Sequence, residues 1–151
     1  MALTASAAAA AERVDQKIAA SAAGEVSIDV VRGRVVVVAW DEDAVQVVGT
    51  RDEESQRFVF EREGNLVRIQ DEISSSTGHG DGTDIEVRVP HQSLLRSSHV
   101  SADLDVSGVA GSVRARTVSG RVKVAGGNGD LAVRTVSGDI NVKHDGPEAV
   151  L

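Results

Sequence analysis

Apolar and polar residues alternate along most of this chain, and in its second half the alternation becomes periodic. Ala102, Gly111, Gly120, Gly129 and Gly138 stand nine apart, and each opens a small-x-apolar-x-apolar phrase: ADLDV, GSVRA, GRVKV, GDLAV and GDINV. Alternation marks strands with one buried face, and a fixed period marks stacked units. Nine is odd, so successive units present their apolar positions with opposite parity. A corner between units is needed to bring them back inside. HVSADLDV at 99–106, TVSGRVKV at 117–124 and TVSGDINV at 135–142 share one frame, which makes the full turn eighteen residues and puts the corner at Thr-Val-Ser-Gly. Glycine there is expected to supply backbone freedom.

The predicted fold is all-β: a repetitive β-solenoid or β-roll-like stack with about eighteen residues per turn and rungs about 4.8 Å apart. Its inward ladders are Leu104-Val122-Ile140, Val106-Val124-Val142, Val113-Leu131 and Ala115-Val133. Outward, Asp103, Arg121 and Asp139 fall in one column and Asp105, Lys123 and Asn141 in the next. Alternating signs fit neighbouring rungs, where like charges repel.

The first half is less regular. Gly24-Glu-Val-Ser-Ile-Asp-Val and Gly33-Arg-Val-Val-Val-Val-Ala echo the later phrase at the same spacing, and Trp40-Asp41-Glu42-Asp43 closes that pair with a polar turn. A strand follows at 43–49, with Val45 and Val47 on one face. The segments 57–63 and 66–70 form a hairpin about Gly64-Asn65, with Phe58 and Phe60 on one side. SSSTGHGDGT at 74–83 is a loop, and 84–90 is a strand that Pro90 ends, since proline cannot donate to a ladder. Residues 12–151 are read as a single β-repeat domain, with an irregular, partly antiparallel portion over 12–90 and regular nine-residue units over 91–151.

Composition narrows the functional classes. Aromatics are 2% of 151 residues, with Trp40, Phe58 and Phe60 the whole set, so the core is valine, isoleucine, leucine and alanine. Net charge is −7 and unevenly placed: 17 acids against 9 bases over 12–90, but 6 against 7 over 91–151. The acidic first half and the scarcity of stacking aromatics argue against a nucleic-acid partner. There is no cysteine, which excludes disulfides, thiol catalysis and cysteine-ligated zinc. No apolar run approaches the ~20 residues of a membrane-spanning helix. MALTASAAAAA at 1–11 reads as a signal-peptide remnant or a disordered arm, with A-x-A sites at 5/7, 7/9 and 9/11.

No catalytic, cofactor-binding or metal-binding residue is assigned, and no cofactor is expected. Gly126-Gly-Asn-Gly-Asp130 approaches a calcium-binding nonapeptide, but Leu131 stands where aspartate is needed. Gly80-Asp-Gly-Thr-Asp84 lacks the paired glycine. His79, His91, His99 and His144 form no ligand pair and are expected to be solvated. There is no nucleophile elbow, and Ser119 and Ser137 belong to a repeated phrase. The acid pairs Asp41/Asp43 and Glu53/Glu54 read as solvated loop charge. No phosphate-cradling loop or dinucleotide fingerprint occurs.

GRVVVVAWDEDAVQVVGT at 33–50, DIEVRVP at 84–90 and SGVAGSVRARTVSGRVKV at 107–124 resemble the bacterial putative-adhesin β-strand-repeat family, the Toastrack-type domains. The resemblance covers roughly 12–142. It implies a periplasmic, cell-envelope or secreted protein without established enzymatic activity, and it brings no site residues. The function this suggests is a non-enzymatic module presenting a surface for adhesion or protein interaction, its protein or cell-surface partner unknown. The alternative is a sensory or scaffold module of an envelope-stress system. A polysaccharide-acting β-helix enzyme stands further off, since it would want aromatics for sugar stacking. The chain stops at Pro147–Leu151, where another unit would start, without a cap. It is read as a fragment of a longer stack, or as a copy able to self-associate through that uncapped C-terminal rung.

Overall fold

The computed structural model describes residues 13–52, 55–73, 82–126, 129–143 and 149–150. The arm at 1–11, the acids Glu53 and Glu54, the loop at 74–81, His79, His144 and the two middle residues of the 126–130 glycine turn lie outside the described residues.

Every described element is a strand. They are β1 (Arg13–Ala19), β2 (Glu25–Trp40), β3 (Ala44–Thr50), β4 (Ser55–Glu63), β5 (Leu66–Ile73), β6 (Thr83–Pro90), β7 (Leu94–Ser107), β8 (Val113–Thr117), β9 (Val122–Ala125), β10 (Leu131–Thr135), β11 (Ile140–Lys143) and β12 (Ala149–Val150).

The eighteen-residue frame is the observed register. Val113 pairs with Leu131 and Ala115 with Val133, in parallel. Leu104 pairs with Val122 and Val106 with Val124. Val122 pairs with Ile140 and Val124 with Val142. These side chains meet inside because each nine-residue unit turns a corner and restores parity. Val122 is fully buried, Leu104 is 1% exposed, and Val113, Leu131, Ala115 and Val133 are all buried. Fully burying such a side chain contributes about 1.5–3 kcal/mol.

The stack reaches further back than the repeats do. β2 is a complete rung: its first half pairs with β7 from Glu25–Leu94 to Val30–His99, and its second half from Arg32–Ser101 to Val38–Ser107. β5 and β6 form the next rung, parallel to the first and second halves of β2 respectively. The echo at Gly24 and Gly33 is thus a rung of the same stack, separated from its neighbour by 69 residues of chain instead of eighteen.

Because β2 and β7 both run through a corner, they belong to two facing walls. The first wall runs β4, β5, β2, β7, β8, β10, β12, and the second runs β1, β3, β6, β2, β7, β9, β11. The antiparallel part is the outer one: β4 on β5, β3 on β6 and β1 on β3. There Phe58, Phe60 and Ile18 pack against the core. Trp40 lies on the outer side of the second wall. Its Nε1–H donates to the Ala44 carbonyl (2.8 Å) and fastens the 41–43 turn, and Lys17 and Arg88 stand over its ring.

Candidate functional site

The eighteen-residue shift that stacks the core also stacks the outer face of the first wall. Arg96 pairs with Arg114 and Ser98 with Arg116. In the next rung Arg114 pairs with Ala132 and Arg116 with Arg134. Three rungs therefore carry two outward columns, Arg96-Arg114-Ala132 and Ser98-Arg116-Arg134. All four arginines are exposed. Column neighbours sit about 4.8 Å apart along the stack, and the columns about 6.6 Å apart across it.

A trough of about 870 Å³ follows these strands. All six outward residues of the two columns line it. Its lining also includes Ser97, Ala115, Val133, Thr135 and Ile140. Two residues beyond the second column in each rung, at the corners, Val100, Val118 and Val136 are 51%, 47% and 79% exposed. The backbone continues from rung to rung here: Ser119 N–H donates to the Val100 carbonyl and Ser137 N–H to that of Val118.

The electrostatics of this wall invert those of the other. On the second wall, Arg121 N–H reaches the Asp103 carboxylate (2.9 Å) and Arg34 stands 4.0 Å from Asp105. On the first wall, arginine lies against arginine. Arg96 has Glu25 at 3.5 Å. Arg114, Arg116 and Arg134 have no carboxylate within ion-pair distance among the described residues. Like charges placed opposite one another destabilise a sheet by a few tenths of a kcal/mol, so this column arrangement does not stabilise the fold. What it can do chemically is hold oxyanions. Guanidinium groups bind carboxylate or phosphate through paired N–H bonds, and they stay charged at any working pH.

No family model matches the chain, and no curated protein matches it. Solved structures similar to it include a putative cell adhesion protein from Clostridium sporogenes, 7% identical, covering 89% of this chain and 100% of that one at a TM-score of 0.44. A putative adhesin from Parabacteroides distasonis is 12% identical over 92% of this chain and 68% of that one, TM-score 0.41. A putative adhesin from Bacteroides fragilis is 10% identical over 93% and 97%, TM-score 0.36.

Two other polar groupings lie inside the molecule. At the corner between β5 and β6, the Asp71 carboxylate, 2% exposed, accepts from the hydroxyls of Ser55 and Thr83. Thr83 Oγ1 in turn accepts from Asp52 N–H at 2.9 Å. Asp52, 3% exposed, takes both forks of Arg32 at 2.6 and 3.2 Å. Donors of fixed identity surround both carboxylates, which makes this a corner clamp.

The second grouping corrects an expectation. His99 is not solvated: it is 4% exposed, on the inner face of β7. Its Nδ1 faces the Val30 carbonyl at 3.0 Å, and its Nε2 meets the Ser97 hydroxyl. Desolvation holds its pKa below the ordinary value, against the opposing pull of the Val30 carbonyl. The serine–histidine pair is sealed between the walls, away from any substrate. His91 is on the surface, 2.9 Å from Asp41. Among the described residues no three histidines or acids stand together as metal ligands, and no helix is long and apolar enough to cross a membrane.

Proposed function

We propose that this chain is a non-enzymatic interaction module of the bacterial cell envelope or exterior, and that the outer face of its first wall is the contact surface. The reading rests on one observation above all. In a chain of net charge −7, four exposed arginines are stacked without alternation along a trough, while the opposite wall alternates its charges. Self-repelling charge held in register is better accounted for by an external anion than by stability. The family resemblance supports the same reading and an envelope or secreted location.

The test is binding of the labelled protein to intact bacterial and animal cells. Saturable binding should occur, fall with added salt, and be lost in the variant with Arg96, Arg114, Arg116 and Arg134 all changed to Gln. Absence of saturable binding to any surface, or binding unaffected by the four substitutions, would overturn the proposal.

A further inference from the structure

We infer that β4 is a dimerisation edge: two copies of this chain join β4 to β4 antiparallel about Val59, so that their first walls form one continuous sheet. The inference does not depend on the contact surface proposed above, since the arginine columns stand on β7, β8 and β10.

β4 hydrogen-bonds to β5 and to no other described strand. A strand in that position offers its outer row of backbone groups to another chain. Which groups these are follows from the hairpin. Glu63 and Leu66 are paired across the turn at Gly64-Asn65, with Gly64 at φ +61°. The pair closing such a turn exchanges both its backbone hydrogen bonds. Antiparallel bonding alternates along a strand, so Glu61, Val59 and Arg57 also bond to β5. Phe58, Phe60 and Arg62 direct their N–H and C=O groups to the free edge.

The side chains then select a second copy as the occupant. Read about Val59, the run Arg57-Phe58-Val59-Phe60-Glu61 is complementary to its own reverse. Phe58 comes opposite Phe60 of the second copy, in pairs that each exchange two backbone bonds. Val59 meets Val59. Arg57 meets Glu61 at both ends of the seam, in non-hydrogen-bonded pairs, where side chains approach most closely. Arg57 and Glu61 are exposed and have no ion-pair partner among the described residues. Phe58 and Phe60 are only half-buried against the core, and across the seam they cover one another as cross-strand aromatic pairs.

The other edges fit less well. On β1, Lys17 is already held by Glu42 at 2.9 Å and lies over Trp40. β11 is four residues long against the nine of β4, and neither β1 nor β11 carries an aromatic. A bulge between Ser55 and Arg57 guards the start of β4 and leaves its central run open to pairing. The twofold axis of this pairing is perpendicular to the wall, so the dimer presents both arginine troughs on one side.

The experiment is sedimentation velocity of the full chain over a concentration series, joined to cysteine cross-linking. The native protein should be dimeric at about 100 µM, as a small transient interface allows. The chain has no native cysteine. Val59→Cys puts its thiols across the axis at a Cα separation of about 4.5 Å, within disulfide range. Mild oxidation should link that variant into covalent dimers and leave Asn141→Cys on β11 monomeric. Glu61→Arg sets arginine against Arg57 at both ends of the seam and should weaken association at least about tenfold. Arg57→Glu/Glu61→Arg restores opposite charges and should return association to within about threefold of native. Both positions are exposed, and unchanged melting curves would show these variants folded. Should Glu61→Arg fold poorly, Val59→Lys, which sets two cations on the axis, should separate the copies instead. A monomeric full chain, a dimer indifferent to Glu61→Arg, association not regained in the double variant, or cross-linking through Asn141→Cys in place of Val59→Cys would each overturn the inference.

Discussion

His99 shows what one side chain does inside this stack. Its column runs Val30, His99, Thr117 and Thr135, one residue per rung. The imidazole fills that position neutral, with Nδ1–H donating to the Val30 carbonyl and Nε2 accepting from Ser97. Because burial depresses its pKa, the folded protein resists taking the proton that the unfolded chain accepts. Above about 6.5 both states are neutral and the group adds no pH dependence. Below that value the unfolded chain protonates first, so stability falls with pH until the lowered folded pKa is reached. The melting temperature should therefore drop more between pH about 7 and about 5 in the native protein than in His99→Thr, which installs the column's own residue. Parallel curves would show that the buried ring does not titrate against folding. The sequence held half of this. His99 and Thr117 fall in one frame by their shared Val-Ser phrase, but a histidine in a serine-rich stretch looks solvated until the parity of Leu95, Ser97 and His99 is followed inward.

At the scale of the element, the corners decide the fold. Glycine was expected there for backbone freedom, and the structure gives a different reason. Gly120 and Gly138 do not adopt positive φ. A Cβ at Gly120 would collide with the Ala102 carbonyl, and one at Gly138 with that of Gly120. At Gly129 it would come within 2.5 Å of the Gly111 carbonyl oxygen. Rungs approach so closely at the corner that the side chain must be absent, and Gly138 N–H then reaches Thr135 Oγ1 at 3.0 Å, which explains the Thr-x-x-Gly spacing. Gly64 is the contrasting case: φ is +61° and nothing lies within 4 Å of its would-be Cβ. Gly120→Ala should cost about 1–3 kcal/mol in urea unfolding through overpacking, while Gly64→Asn should be nearly neutral, since asparagine tolerates the left-handed region. Equal effects at the two sites would refute the close-approach account. This shift of eighteen was legible for Asp103-Arg121-Asp139, where signs alternate. The same shift applied to Arg96 and Arg116 gives Arg114 and Arg134, but like charges do not announce a register. The rungs before β7 were hidden for another reason: no periodicity survives a 69-residue excursion, so only the phrase at Gly24 and Gly33 betrayed β2.

At the scale of the molecule, the stack is graded from one end to the other. β2 and β7 join both walls, and their inward residues are almost wholly buried: Val30, Val35 and Val37 at 0%, Leu104 at 1%. In β11, the last described strand of the second wall, Ile140 and Val142 are only partly buried against the core. Stability in a stack is close to a sum of rung and neighbour contributions, so opening should begin at β10–β11 and reach β2 and β7 last. Hydrogen exchange should find the slowest amides in β2 and β7, exchanging only through global unfolding, and faster ones in β10 and β11 through local opening. Leu104→Ala should cost about 2–5 kcal/mol and lower protection everywhere. Ile140→Ala should cost about half as much and lower it only in the last rungs. Uniform protection across all rungs, with both substitutions felt everywhere, would mean that the stack unfolds as one block. Arg96 rides on the firm β7 and Arg134 on the looser β10, so the trough spans this gradient. An anion held by both would tie the last rungs to the core, and its binding would register first as slowed exchange in β10.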